Sequence, residues 1–313
     1  MGRAIGSNAK IAGVFEATPG VTPNAGFFSI PLASHTMGEE RPLIASDLLG
    51  LGREPQDPIS DVATDNGDMV VPVDVRNFGH WLKLAFGMPT EATGGGAEEI
   101  HTFTSGAAAL PSMSIEIGAP EVPAFSVNYG ARLNQLKIGL ARSGLLNATC
   151  SLIAIGETAP VAATVMPAPT SLPVLRFAQA TGSIMKDGVA LASVVAADLT
   201  FSNNLDPVET IKADGRIEDS DPGMVMASGS LTVRFRDTVL MTAASNGTPC
   251  ALSFGWTNGP HSLIFTLPRV FLPPAKRPIS GPKGIQAVFN WQASGALAAS
   301  MTAVLTNDVA SYA

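Results

Sequence analysis

Two stretches of the chain alternate apolar and polar residues with a period of two. In the first, Met69, Val71, Val73 and Val75 alternate with Val70, Pro72 and Asp74. In the second, Leu231, Val233 and Phe235 alternate with Thr232, Arg234 and Arg236. This period places one side of the run in a core and predicts a half-buried strand in each case, opened by Gly67 and Gly229. Pro72 has no N–H to give to a ladder, which predicts a sheet-edge position for the first strand. A short helical pattern follows each strand. Asn77 is placed to cap a helix over residues 78–86, where Phe78, Trp81, Leu82 and Ala85 share a face and Gly87 ends it. Asp237 is placed to cap 238–245 in the same way, with Gly247 beyond it. Residues 112–117 and 262–267 read as the next matching strands.

These parallels extend to an internal repeat. Laid without gaps on residues 281–305, residues 130–154 match at Gly130, Gln135, Ser143, Gly144, Leu146 and Ala148, which meet Gly281, Gln286, Ser294, Gly295, Leu297 and Ala299. Both stretches read as a strand, a Ser-Gly turn and a second strand. Upstream, Gly52 and Arg53 correspond to Gly215 and Arg216, each pair followed by an acidic loop containing proline. A repeat of this length fixes architecture. It predicts a mainly β chain of two tandem antiparallel β-sandwiches, each flanked by a short α-helix. The first spans 1–157 and the second 174–313, joined by a Pro- and Ala-rich linker over 158–173.

Composition turns this architecture toward assembly. Charged residues are 14% of the 313 residues, against about 25% in ordinary soluble domains. Gly (31) and Pro (24) are abundant, so there are many turns and little charge to solvate a large surface. Burying that surface against further copies resolves the difficulty. The net charge of −7 argues against a basic surface gripping nucleic acid. The apolar stretch 159–174 is broken by Pro160, Pro167, Pro169 and Pro173, and the N-terminus lacks a signal-peptide core, so synthesis in the cytoplasm and no membrane are expected. Two cysteines, Cys150 and Cys250, make no disulfide framework, and Cys150 reads as a buried apolar residue.

Catalytic chemistry has little to stand on. His35, His80, His101 and His261 are scattered and share no metal-ligand spacing with cysteine, so neither a metal nor a cofactor is expected. No nucleophile elbow or phosphate-binding loop occurs, and Gly94, Gly95 and Gly96 read as a loop tip. Residues 65–68 and 218–221 are mildly calcium-like but lack spaced ligands, and read as solvated turns. Trp81 and Trp291 fall on apolar faces and read as core. No catalytic residue is assigned and an enzyme is not expected.

The ordered pattern resembles the tail tube proteins of long-tailed bacteriophages. It is carried by the segment from Phe27 to Leu32, by Gly52 and Arg53, by the strand and helix from Gly67 to Gly87, and by the run Leu199, Thr200, Phe201, Ser202, Asn203 and Asn204. Gly215 and Arg216, the strand from Gly229 to Asp237, and Leu305 to Asp308 with Tyr312 complete it. The resemblance implies a structural virion protein that stacks as rings into a tail tube and conducts double-stranded DNA without reading its sequence. Members with one tube domain form hexameric rings, so two domains per chain imply a trimer with pseudo-sixfold symmetry; a hexamer of whole chains stays open. The implied partners are the protein itself, a tape-measure protein, a tail terminator and a distal tail or baseplate protein. The long loops 44–66 and 204–228 are expected to stack on the next ring through Arg53, Asp57, Asp61, Asp65, Arg216, Asp219 and Asp221. Asp74 and Glu116 alternate with apolar neighbours and are expected to face the bore, with Arg234 and Arg236 in salt bridges between subunits. The alternative is another β-rich particle component such as a capsid decoration protein; a carbohydrate-binding sandwich would need more solvent-facing aromatic residues than two Tyr and three Trp supply.

Overall fold

The computed structural model describes residues 2–50, 52–279, 281–282 and 284–312. Strands occupy 45% of the chain and helices 7%, the mainly β outcome that period-two patterning predicts. The principal strands of the first half are β1 (Lys10–Phe15), β2 (Thr64–Pro72), β3 (Thr90–Thr93), β4 (Glu99–Thr104), β5 (Met113–Ala119), β6 (Ala124–Ala141) and β7 (Asn147–Ala154), with α1 (Phe78–Phe86) after β2. Those of the second half are β8 (Ser183–Lys186), β9 (Val194–Ser202), β10 (Met226–Arg234), β11 (Cys250–Asn258), β12 (His261–Phe271), β13 (Gln286–Ala293) and β14 (Thr302–Asn307), with α2 (Val239–Asn246) after β10.

Every ladder between these strands is antiparallel. One succession runs β1–β5–β6–β7–β2 in the first half. The second half runs β8–β11–β12–β13–β10 in the same order. In each half one strand serves two layers. The first part of β6 pairs with β5 and its last part with β7 and β9. Likewise β12 pairs with β11 and β14 along its body and with β13 at Val270 and Phe271. The ladder β6–β9, from Gln135↔Ser202 to Ala141↔Ala196, joins the halves side by side.

These ladders revise the gapless match of 130–154 to 281–305. It equates β7 with β14, but by pairing β7 corresponds to β13. The expected closing hairpin of the second half is not formed: β13 pairs with β10 and β12, while β14 pairs with β12 and β4. The position β14 holds on β12 is held on β6 by the short strand Gly156–Glu157. Alternating strands match one another at any even shift, which is how the alignment slips by one strand. The hairpin β3–β4, turning at the Gly94–Gly96 tip where Gly94 N donates to Glu98 O (2.7 Å), extends the sheet beyond β14.

The helices start otherwise than expected. The Asn77 side chain makes no capping bond; Asp74 takes that role. α1 is buried nearly all round rather than on one face, and only His80 among its nine residues escapes full burial. α2 starts one residue later than expected, with Thr238 rather than Asp237 at the N-cap, although Val239 N donates to Asp237 Oδ1 (3.1 Å), and Gly247 ends it in the left-handed region (φ 62°). Pro72 closes β2 but does not mark an edge, because β2 has β7 on one side and the short strands Ser34–His35 and Gly38–Glu40 on the other. Gly67 lies within β2 instead of opening it.

One apolar core runs through both halves, and Cys150, Trp81 and Trp291 are in it as expected. Phe86 of α1 stacks on Phe201 of β9 with ring centroids 4.4 Å apart. Asn203 Nδ2 donates to Ala85 O (3.0 Å) and Leu133 O (2.9 Å). From the far end of the chain, Asp308 pairs with Arg76 (2.7 Å), and the Tyr312 ring fills the place a Cβ at Gly79 would need. The segment 158–173 lies against the first half as a strap. Phe125 and Val161 exchange backbone bonds (2.9 Å each), and Thr170 bonds to Phe27 and Ser29.

Candidate assembly surfaces

The two long loops leave the fold side by side. The first is a two-strand arm, Leu43–Ile44 paired with Ile59–Ser60, with residues 45–50 and 52–58 beyond it. It exposes Leu43, Ile44, Leu48, Leu49, Ile59 and Val62, and Leu49 is 94% exposed. The second is a ribbon, Asp206–Pro207 paired with Ser220–Asp221, which exposes Ile211 and Met224. The turn of the ribbon reaches the base of the arm: Ala63 N donates to Gly215 O (2.9 Å) and Arg41 Nη2 to Asp214 O (2.9 Å). Isolated exposed apolar residues are ordinary, but a cluster of them on projecting loops marks an interaction surface. Arg53, Asp57 and Asp221 are exposed on these loops, and Asp61 is half-buried. Asp61 turns inward on its own chain, accepting from Val62 N (2.8 Å), and Asp219 pairs with Arg132 (2.8 Å).

Arg216 and Asp65 belong instead to a charged knot that ties the loops together. Arg216 Nε donates to Glu39 Oε2 (2.6 Å) and Arg216 Nη2 to Glu157 O (2.8 Å), and the guanidinium lies over the Tyr129 ring. Glu157 Oε2 accepts from Glu39 N (3.0 Å). Asp65 is only 4% exposed beside this knot. With its amide turned to face Asp65, Asn128 donates to both carboxylate oxygens at 3.1 Å. Burial, then repulsion from Glu157 and Glu39, pushes Asp65 up to about 7, against the pull of Arg216. Glu39 moves the other way: burial raises it, but its bonds to Arg216, the Glu157 backbone and Arg41 bring it below the usual carboxylate value. Residues 65–68 are thus strand rather than a solvated turn. Glu39 and Glu157 carry no motif, since only the pairing of Gly38–Glu40 with β2 and of Gly156–Glu157 with β6 brings them to Arg216.

Asp74 and Glu116 do not face outward. Asp74 is fully buried; its Oδ1 accepts from Arg76 N (2.7 Å) and Asn77 N (2.5 Å), and its Oδ2 from Asn77 Nδ2 (3.0 Å). Burial raises its pKa while these bonds oppose the rise. Pairing goes on past Pro72, with Val73 N donating to Leu146 O (3.1 Å) and an antiparallel bridge from Asp74 to Arg176, so the side of the chain opposite Val73 and Val75 is buried too. Glu116 is 2% exposed because the strap 158–173 covers it: Thr164 Oγ1 (2.5 Å), Val165 N (2.6 Å) and Met166 N (3.2 Å) all donate to it. Both acids are internal ties.

The surface that does turn away from the core is the far face of the sheet β2–β7–β6–β9–β10–β13. One row across it reads Val70, Thr149, Lys137, Thr200, Ser228, Gln292. A second reads Gly139, Asp198, Ser230, Asn290, and a third Ala141, Ala196, Thr232, Val288. Side chains here are short and mostly uncharged. The acids on this face are satisfied by hydroxyls, Ser151 Oγ to Asp68 Oδ1 (2.6 Å) and Ser230 to Asp198. Arg234 stands exposed at the end of β10 and Arg236 just beyond it. Among the described residues no group of three or more His, Cys, Asp or Glu is placed to hold a metal ion, and no helix is long and apolar enough to cross a membrane.

Comparison with known proteins agrees with this assembly-oriented surface. No curated protein matches the chain. The family profile of the phage tail tube proteins matches residues 6–293, which takes in the arm, the ribbon, the charged knot and the sheet up to the end of β13. The chain belongs to the phage tail tube protein family, and is a structural component of the virion tail.

Proposed function

We propose that the chain builds the tube as two fused tube units, 1–157 and 174–313, joined by the strap 158–173. On this reading three chains make a ring of six units, although a ring of six chains satisfies the same surfaces. The observation that carries it is the pairing of two features in one molecule: apolar loops projecting together, and a broad sheet face of short polar side chains. The loops stack ring on ring, a heterologous contact that does not close and therefore grows a filament. The sheet face lines the bore. A wall of hydroxyl and amide groups offers a passing phosphate backbone few cations to grip, so DNA slides without being held. The arrangement calls for no catalytic group, and the tape-measure, terminator and distal tail proteins are its expected neighbours.

Negative-stain electron microscopy of the concentrated protein tests the reading. Hollow tubes whose end views show three or six lobes around a hole are expected. Compact closed oligomers without a bore would overturn it.

A further inference from the structure

Both legs of the arm pass through the charged knot. Glu39 and Arg41 precede its first strand, and Ala63 and Asp65 follow its second. The turn of the ribbon meets them there through Asp214, Gly215 and Arg216. Asp65 lies beneath this junction. Glu39 faces it from the strand Gly38–Glu40, Glu157 from the strand Gly156–Glu157, and Arg216 from the ribbon. From β6 come the Asn128 amide and Tyr129, whose ring lies under Arg216. One step farther out, Arg41 Nε donates to Glu39 (3.0 Å), and Asp214 Oδ1 accepts from Arg216 N (3.2 Å). Three carboxylates thus converge on one guanidinium, an arrangement that favours keeping a proton on one of them.

Asn128 is fitted to that proton. It is fully buried, and the end of its amide that faces Asp65 is 3.1 Å from both carboxyl oxygens. With nitrogen at that end the amide donates to a carboxylate. Turned over, its oxygen accepts from a carboxylic acid. One side chain therefore serves both states of Asp65. A cleft of about 380 Å³, lined by Glu39, Arg41, Glu157, Pro160 and Arg216, opens over the knot to solvent.

We propose that the knot is a pH-sensitive latch, which holds the arm and the ribbon together while Asp65 is protonated and frees them when it ionises. Opening moves Glu39 and Arg216 away and admits water, which returns Asp65 to an ordinary carboxylate. In the closed latch burial, then Glu157 and Glu39, push its carboxyl up to about 7 from an ordinary 3.8. Opening therefore releases a proton between about pH 4 and 7, and each rise in pH across that window favours it. Glu39 acts in the opposite sense at lower pH. Burial raises it, but its bonds to Arg216, the Glu157 backbone and Arg41 hold it below its ordinary 4.5, so it loosens the latch only in more acid solution. The latch belongs to the single chain and goes beyond the tube reading. Only its consequence, that arm and ribbon meet the next ring as one joint surface while latched, rests on that reading.

Amide hydrogen exchange of the full, unassembled chain tests the latch, with each rate normalised to the intrinsic rate at that pH. In peptides spanning residues 59–66 and 206–221, opening should rise by up to about tenfold per pH unit from pH 5 to 7 and level off above. In Asp65→Asn the same peptides should show no such rise. A flat profile in the unaltered protein would overturn the latch, as would an unchanged rise in the variant. Peptides from β11 and β12 should exchange much more slowly; equal opening there would mean that the knot opens only with the whole fold, and would overturn it too. None of these readings requires rings or tubes, so failure of the latch and failure of the tube reading are distinguishable.

Discussion

Asp65 is the residue on which the charged knot turns. Its carboxyl is pushed up to about 7 in the folded protein from an ordinary value of 3.8. The folded state therefore holds a proton that the unfolded chain releases as pH rises from about 4 to 7, so this group's contribution to stability falls across that window. Above it the buried charge costs about 1.4 kcal/mol for every tenfold gain in the carboxylate's proton affinity on folding. Asp65→Asn, which keeps the shape beside Asn128, should raise stability at pH 8 by at least about 1 kcal/mol. Thermal melts should show the gain shrinking toward pH 4; an equal effect at both pH values would mean that Asp65 is not desolvated as described. None of this is legible from local sequence. Asp65 and Arg216 stand out as members of acidic loops, but Glu39 and Glu157, which set the field around them, meet only through two ladders. Asp74 misleads for a related reason: alternation gives the side of the strand, but not that the segment around Arg176, a hundred or so residues on, pairs there and leaves that side buried.

At the scale of the element, that same aspartate decides how α1 begins. Its carboxylate satisfies backbone and side-chain donors at the turn before the helix, a role that the sequence pattern assigns to Asn77, three residues on. Asp74→Ala leaves those donors buried and unpaired and should cost about 1–3 kcal/mol, read as a lower urea midpoint at unchanged slope. A loss below about 0.5 kcal/mol would show that the turn is held by packing alone. The strands with clean alternation, β2 and β10, are legible, as are both helices with their terminal glycines. The hairpin β3–β4 is not. In β4 only His101 and Phe103 are fully buried, too short a run to stand out, and its partner β14 lies about two hundred residues away in the chain. The strap reads as a linker from its prolines. Its composition does not reveal that it seals Glu116 beneath it.

For the whole molecule, the stacking role proposed for the projecting arm can be tested on its tip. Replacing residues 45–58 by a two-residue turn keeps the pairing of Leu43–Ile44 with Ile59–Ser60 but removes Leu48 and Leu49. Single rings should still form, while tubes should be shortened or lost in electron micrographs; tubes of normal length would remove the arm from the stacking contact. The like succession of strands in the two halves is only partly legible: the gapless sequence match is displaced by one strand, because alternation carries no label saying which strand is which. The ladder from Gln135↔Ser202 to Ala141↔Ala196 has a consequence of parity. If each chain carries two tube units welded along this seam, a closed ring holds an even number of units whatever the number of chains. Five-unit and seven-unit rings, the nearest errors to six in curvature, cannot be built, and the closest misclosures differ by two whole units. The covalent link thereby turns a graded error in curvature into a coarse one that is harder to make.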